Sequence, residues 1–245
     1  MHTYGVAVGL SVLGSVGGVL AASTFLLLGD RVREKIVPWL ISYAVGTLLG
    51  VALLALLPEA LEHIEPPQAF MTLLGGVLAF FLLEKFVLWR HCHDTHECEV
   101  HTSTAASLVI VGDAFHTFVD GAVIAAAVLT SVPLGITTAL AVATHEIPQE
   151  VGDVAILLRA GFSRGRAFVL NLMAGIGGVL GALGMLFASE WIPNLLPYVL
   201  SFAAGNFLYI AMSDLIPDLH RGGVEGGPVR QLLLIVAGVA TITLL

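Results

Sequence analysis

Charge is scarce in this sequence. Only 11% of its 245 residues are Asp, Glu, Lys or Arg, against roughly a quarter in an average soluble domain. Meanwhile 57% are hydrophobic and the mean hydropathy is +0.95. That balance excludes an ordinary water-soluble domain and indicates a polytopic membrane protein. Ten Lys and Arg against 18 Asp and Glu leave a formal net charge of −8, without a basic patch or groove-reading motif, so nucleic acid is excluded as a partner. Two cysteines, Cys92 and Cys98, lie in one polar stretch and make no disulfide framework. The start, Met1-His2-Thr3-Tyr4-Gly5, lacks the basic region of a cleaved signal peptide, so the first apolar run is expected to be retained. Connections are short, leaving one transmembrane domain over 1–245.

What the sequence has in quantity is apolar runs of helical length. Eight are read, near 4–28, 36–58, 69–90, 105–129, 134–159, 166–189, 195–217 and 229–245, each long enough to cross a hydrocarbon core of about 30 Å. The fold class is therefore all-α, with eight transmembrane helices in the lipid bilayer. All ten basic residues (Arg31, Arg33, Lys35, Lys85, Arg90, Arg159, Arg164, Arg166, Arg221 and Arg230) fall on one side of this partition. The positive-inside rule makes that side cytoplasmic and puts both termini outside. A multi-pass protein of the plasma (inner) membrane is expected.

Two spans break the apolar pattern. The fourth contains Gly112-Asp113-Ala114-Phe115-His116-Thr117-Phe118-Val119-Asp120-Gly121, and the fifth His145-Glu146-Ile147-Pro148-Gln149-Glu150-Val151-Gly152-Asp153. Ionisable groups inside a bilayer are costly unless they face a cavity, a partner or an ion. Helical spacing puts His116 and Asp120 on one face with Asp113 a turn earlier. It pairs His145 with Gln149, and Glu146 with Glu150, with Asp153 a turn beyond. Counted from where each span enters, His116 and His145 both lie roughly 16 Å deep, so the two polar faces meet near the midplane. Imidazole with carboxylate and no thiol suits zinc, iron, manganese and their neighbours. Pro148 removes an N–H and frees the Thr144 carbonyl beside these groups, and should kink the helix. Asp113 and Asp153 fall nearer the cytoplasm and could form an inner step for a departing cation. Glu59 and His63, at the outer end of span two, could stand at the mouth of its path. No organic cofactor is expected.

The sequence also repeats. Gly17-Gly18-Val19-Leu20 returns as Gly177-Gly178-Val179-Leu180, and Gly46, Leu49, Ala52, Leu56 and Pro58 match Gly205, Leu208, Ala211, Leu215 and Pro217. Spans 1–3 and 6–8 then form an inverted repeat around spans 4 and 5, a plan common in transporters. Small-residue stripes such as Gly14, Gly18 and Ala22 are compatible with packing inside one chain or with a homodimer. The polar loop over 91–104, with His91, Cys92, His93, His96, Cys98 and His101, has the ligand types to bind metal but no zinc-finger spacing.

The span-four motif, Gly112-Asp113-x-x-His116-Thr117-x-x-Asp120-Gly121, resembles the GDxxHNxxDG pattern of the ZIP family of divalent-metal transporters. The span-five motif is similar to HEIPHExGD, the mark of one subgroup. The resemblance implies carriage of Zn²⁺, or of Fe²⁺, Mn²⁺ or Cd²⁺, into the cytoplasm, the ion being substrate. It implies a binuclear centre from His116 and Asp120 with His145 and Glu146, where Thr117 and Gln149 replace the usual Asn and His. A hydroxyl and an amide are weaker ligands, so one of the two metal positions could be weak or empty. The alternatives are an intramembrane metal-dependent hydrolase and a metal sensor that does not transport. His145-Glu146-x-x has the start of an HExxH helix, but Gln149 stands where the second His should be.

Overall fold

The computed structural model describes residues 2–25, 30–89, 101–221 and 227–245. Among them the fold is entirely helical. We label the eight long helices α1 (His2–Phe25), α2 (Asp30–Val51, then a π-helical turn Ala52–Leu56, then Leu57–Leu61), α3 (Pro66–Trp89), α4 (His101–Thr130), α5 (Val132–Arg159), α6 (Arg164–Trp191), α7 (Leu195–Tyr209, a π-helical turn Ile210–Leu215, then Ile216–Arg221) and α8 (Gly227–Leu244). They are the eight expected spans. Among the described residues, seven helices are long and apolar enough to cross a membrane, and α5 is not one of them. Its second half carries the polar cluster, which lowers its apolarity below that of its neighbours.

Short connections fix the local path. Ser131 alone separates α4 from α5. Its hydroxyl accepts the Leu134 amide at 3.3 Å, capping the new helix. Ser163 does the same for Arg166 at the start of α6. Asn194, in the left-handed region at φ 56°, turns the chain into α7.

The second span, read near 36–58, ends at Leu61, within a turn of that boundary, and α2 runs through Pro58 to reach it. A proline ring clashes with the carbonyl four residues back, here Leu54, and has no N–H to give it. The π-helical turn just before Pro58 widens the helix at that point. The same device recurs before Pro217. Each π turn falls at the repeat-equivalent place, so the repeat is carried in backbone geometry as well as in letters.

Helix contacts sort the fold into two groups. α1, α4, α5 and α6 pack together; α8 lies along α2 and α3 along α7 beside them. The second pair of contacts is duplicated residue for residue. A Cβ on Gly46 would run into the Ile235 carbonyl, and one on Gly238 into the Tyr43 carbonyl. A Cβ on Gly205 would meet the Leu73 carbonyl, and one on Gly76 the Phe202 carbonyl. In the first group Gly121 and Gly178 touch backbone to backbone. Such close approach replaces the hydrophobic drive that lipid does not supply. Contact registers give direction. Gly14 lies against Val142 and Gly18 against Glu146, so α1 and α5 are parallel. Gly178 meets Ser15 and Gly175 meets Val19, so α1 and its repeat mate α6 are antiparallel. The repeat is inverted.

Candidate metal centre

Because one residue joins α4 to α5, positions equally far from the turn face each other. His116 and His145 lie within a residue of the same depth, roughly 20 Å from it at 1.5 Å per residue. Their Nε2 atoms are 3.2 Å apart. Asp120 Oδ2 is 3.1 Å from His145 Nε2 and 3.6 Å from His116 Nε2. Glu146 Oε1 stands 3.7 Å from His116 Nε2 and 4.0 Å from His145 Nε2. One ligand atom from each of the four residues thus falls within 4.8 Å of all the others. A tetrahedral ion with bonds of 2.0–2.2 Å spaces its ligands by about 3.3–3.6 Å. The separations bracket that value.

The surroundings orient these groups. His145 Nδ1 lies 3.0 Å from the Ala141 carbonyl. A carbonyl only accepts, so Nδ1 carries the proton and the Nε2 lone pair faces the cluster. Phe80 of α3 sets its ring edge-on to His116 at 5.6 Å, and Phe207 of α7 packs on His145 at 5.9 Å. Thr144 Oγ1 meets Thr47 Oγ1 of α2 at 2.8 Å, a polar link between the two helix groups one residue from His145. All four cluster residues are buried, and both carboxylate oxygens of Asp120 and of Glu146 lack a hydrogen-bond partner. Four such orphaned oxygens in a buried site are costly to hold. Two neutral imidazoles and two carboxylates carry a formal charge of −2, which one divalent ion cancels.

The other expected residues are spread around this core. The Thr117 hydroxyl donates to the Asp113 carbonyl of its own helix at 2.6 Å, the back-bond open to any helical threonine. Glu150 is buried one turn from Glu146, with Oε2 held by Asn171 of α6 at 2.6 Å. Gln149, Asp113 and Asp153 line a cavity of about 400 Å³ that reaches His116. α5 stays helical through Pro148. Glu59 and His63 line a separate pocket with Thr130, Ser189 and Asn194, at the other helix ends, with the His63 ring on the Glu59 carbonyl. Of the polar loop, His91, Cys92, His93, His96 and Cys98 lie outside the described residues, as does the His101 side chain.

Sequence reasoning passed over several polar groups. Glu84 and Asp214 share the cavity wall with Tyr209, whose hydroxyl donates to Glu84. Asn171 is 2% exposed, and Asn206 is fully buried with both amide atoms unpaired. Both asparagines sit inside spans among apolar residues, so the lipid-cost argument that singled out spans four and five applied to them too.

Comparison with known proteins agrees with this geometry. A family model described as "ZIP Zinc transporter" matches residues 89–245, which include both helices of the centre. Zinc transporter ZIP13 of Pongo abelii is 35% identical over 239 residues, covering 89% of this chain and 71% of that protein. ZIP13 of Homo sapiens is 31% identical over 275 residues, covering 89% and 74%. An uncharacterized zinc transporter of Schizosaccharomyces pombe is 37% identical over 156 residues, covering 60% of this chain and 34% of its own length. With relatives aligned along most of its length and the family pattern spanning the helices that build the buried cluster, this integral, multi-pass membrane protein belongs to the ZIP zinc transporter family.

Proposed function

We propose that this chain carries divalent transition-metal ions, Zn²⁺ foremost, across the membrane into the cytoplasm, binding them at His116, Asp120, His145 and Glu146. The observation that carries the reading is the convergence of these four side chains in a buried site whose carboxylate oxygens have no other partner. Fe²⁺, Mn²⁺ and Cd²⁺ are further candidates for the same ligand set.

Direction follows from charge. The cavity touching His116 is lined by Glu84, Asp153, Ile156 and Asp214, which lie toward the helix ends that carry the basic residues, the side the positive-inside rule makes cytoplasmic. There the Arg230 guanidinium lies over the Trp39 ring at 3.5 Å, an interfacial anchor. Asp113 and Asp153, joined by Glu84 and Asp214, would receive the ion as it leaves, and Glu59 and His63 would meet it outside. The outward apolar faces of α3 and α8, with Met71, Leu82, Leu233 and Val236 exposed, suit lipid or a second copy in a homodimer. The whole of 1–245 acts as one transport domain in the plasma (inner) membrane.

Liposomes loaded with a zinc-sensitive dye test this. The parent protein should fill them over time. His116→Ala and Glu146→Ala should reach the vesicles folded and fill them at least tenfold more slowly, on the order of the loss expected even for groups that only orient a ligand. Parent-rate filling by either would sink the assignment. Transport should also be pH-sensitive, because His and carboxylate ligands must shed protons to bind metal. A pH-independent rate would argue that the two histidines are not ligands.

A further inference from the structure

Asn206 of α7 is a buried amide without a partner. It is 0% exposed, and among the described residues neither its Oδ1 nor its Nδ2 has a hydrogen-bond partner. A polar side chain inside a bilayer normally bonds across to a neighbouring helix. Ser201 of the same helix does so, donating to the Ala69 carbonyl of α3. An orphaned amide is costly, and in a native fold it calls for an ion or an ordered water to explain it.

Neighbours fix where this side chain stands. Phe207, the next residue, packs on the His145 ring at 5.9 Å. On the other side, the Asn206 backbone amide would lie 3.3 Å from a Cβ on Gly76, and Phe80, one turn further along α3, packs on His116 at 5.6 Å. Asn206 thus sits between the two aromatic walls of the centre. Tyr209 and Ile210, three and four residues on, both line the cavity that reaches His116. Positions i+3 and i+4 flank position i on a helix, so Asn206 points the same way, one turn further from the cytoplasmic end. α7 also packs on α4, which carries His116 and Asp120. The amide therefore faces the head of the cavity, beside the centre.

The centre itself offers few oxygens to an ion that takes more than four ligands. His116, Asp120, His145 and Glu146 bring one ligand atom each into the cluster, which completes the tetrahedron of Zn²⁺. Mn²⁺ prefers octahedral, oxygen-rich surroundings, so in the same site it keeps water in the remaining positions. Water in a buried site needs further polar partners, and an ion-bound water has protons to give. We propose that Asn206 is a specificity-determining residue: its Oδ1 accepts a hydrogen bond from a water on an ion at the centre, favouring Mn²⁺ relative to Zn²⁺. This rests on the four-residue metal site of the reading above. Being neutral, the amide adds that contact without a charge that would hold both ions more tightly.

Titration calorimetry of the purified full chain, with Mn²⁺ and with Zn²⁺, tests this at equilibrium. Asn206→Leu keeps the volume and removes the acceptor. It should weaken Mn²⁺ relative to Zn²⁺ by about tenfold, the lower end of the roughly 10–100-fold loss seen for outer partners of a metal. Asn206→Asp keeps an oxygen in place and should show no such fall. Asn206→Ala, too small to clash, carries the expectation of Asn206→Leu if the larger side chain prevents folding. A purely structural amide would weaken both ions together or neither. An unchanged ratio in the apolar variant therefore overturns the proposal, as does an equal fall in Asn206→Asp, or a parent that binds Zn²⁺ but not Mn²⁺. Filling of dye-loaded vesicles reads the transport reading separately: if the ratio shifts as expected in a protein that fills none, the assignment of Asn206 stands and transport fails.

Discussion

Asp120→Asn should make the metal-free protein more stable and zinc uptake negligible. Both oxygens of Asp120 are buried without a hydrogen-bond partner. Oδ2 faces His145 Nε2 at 3.1 Å, and Nδ1 of that ring lies against the Ala141 carbonyl. Without an ion, the Asp120 carboxylate shares its buried site with the Glu146 carboxylate. An unsatisfied buried polar group costs about 1–3 kcal/mol, and more when charged. The isosteric amide removes the charge, keeps the volume, and can donate an N–H to His145. A gain of about 1–3 kcal/mol in the presence of chelator is therefore expected. With zinc the order reverses. A ligand that binds only the folded state stabilises by about 2.7 kcal/mol at a hundred times its dissociation constant. The parent should show that rise and Asp120→Asn should not. Thermal unfolding in detergent, with chelator and then with excess Zn²⁺, reads both signs in one experiment. Uptake in vesicles should drop by roughly a hundredfold or more, beyond the 10–100-fold typical of groups one bond removed from a metal. If Asp120→Asn proves less stable than the parent in chelator and still shifts with zinc, the carboxylate is a structural partner and not a ligand.

That reversal also explains why the centre was the easiest part to read from the sequence. Carboxylates and imidazoles in mid-span have few bland explanations, and i,i+4 spacing shows which of them share a face. His116, Asp120, His145 and Glu146 needed only helix geometry and a short turn to be brought together. The repeat was legible for a similar reason. Gly46 and Gly205, or Pro58 and Pro217, are matched because each pair does the same job twice, against the Ile235 and Leu73 carbonyls or after a π turn.

The remainder is tertiary. Nothing local says that Asn171 reaches Glu150 across 21 positions. Glu84 lies beside Lys85 at the end of a span and looks like any solvated terminus; only packing shows it facing Tyr209 and the cavity. The widened turn that lets α2 continue through Pro58 leaves no mark in composition. Thr117 could have aimed its hydroxyl at the ion or at its own helix. In the structure it donates to the carbonyl four residues back, a bond that spends its proton and not its oxygen lone pairs.

The glycines offer the sharpest test of the packing that holds this centre in place. Gly75 and Gly76 are adjacent in α3, yet their substitution by alanine should have opposite effects. A Cβ on Gly75 would touch nothing within 4 Å, so alanine there only removes backbone freedom and should stabilise by up to about 1 kcal/mol. A Cβ on Gly76 would strike the Phe202 carbonyl, with the Phe202 carbonyl carbon at 3.0 Å and the Asn206 amide at 3.3 Å. Backbone cannot turn aside as a side chain can, so α3 and α7 must separate along their length. Overpacking a core costs typically 1–3 kcal/mol, and a clash between helix backbones belongs at or above the top of that range. The consequence reaches function, because α7 places Phe207 on His145 and α3 places Phe80 on His116. Gly76→Ala should therefore lower both the unfolding temperature and the uptake rate, while Gly75→Ala lowers neither. By the inverted repeat, Gly238→Ala should reproduce the Gly76→Ala loss, since its Cβ would meet the Tyr43 carbonyl on the other side of the molecule. Comparable unfolding temperatures for Gly75→Ala and Gly76→Ala would mean that α3 does not approach α7 closely, and the aromatic walls of the centre would have to be placed differently.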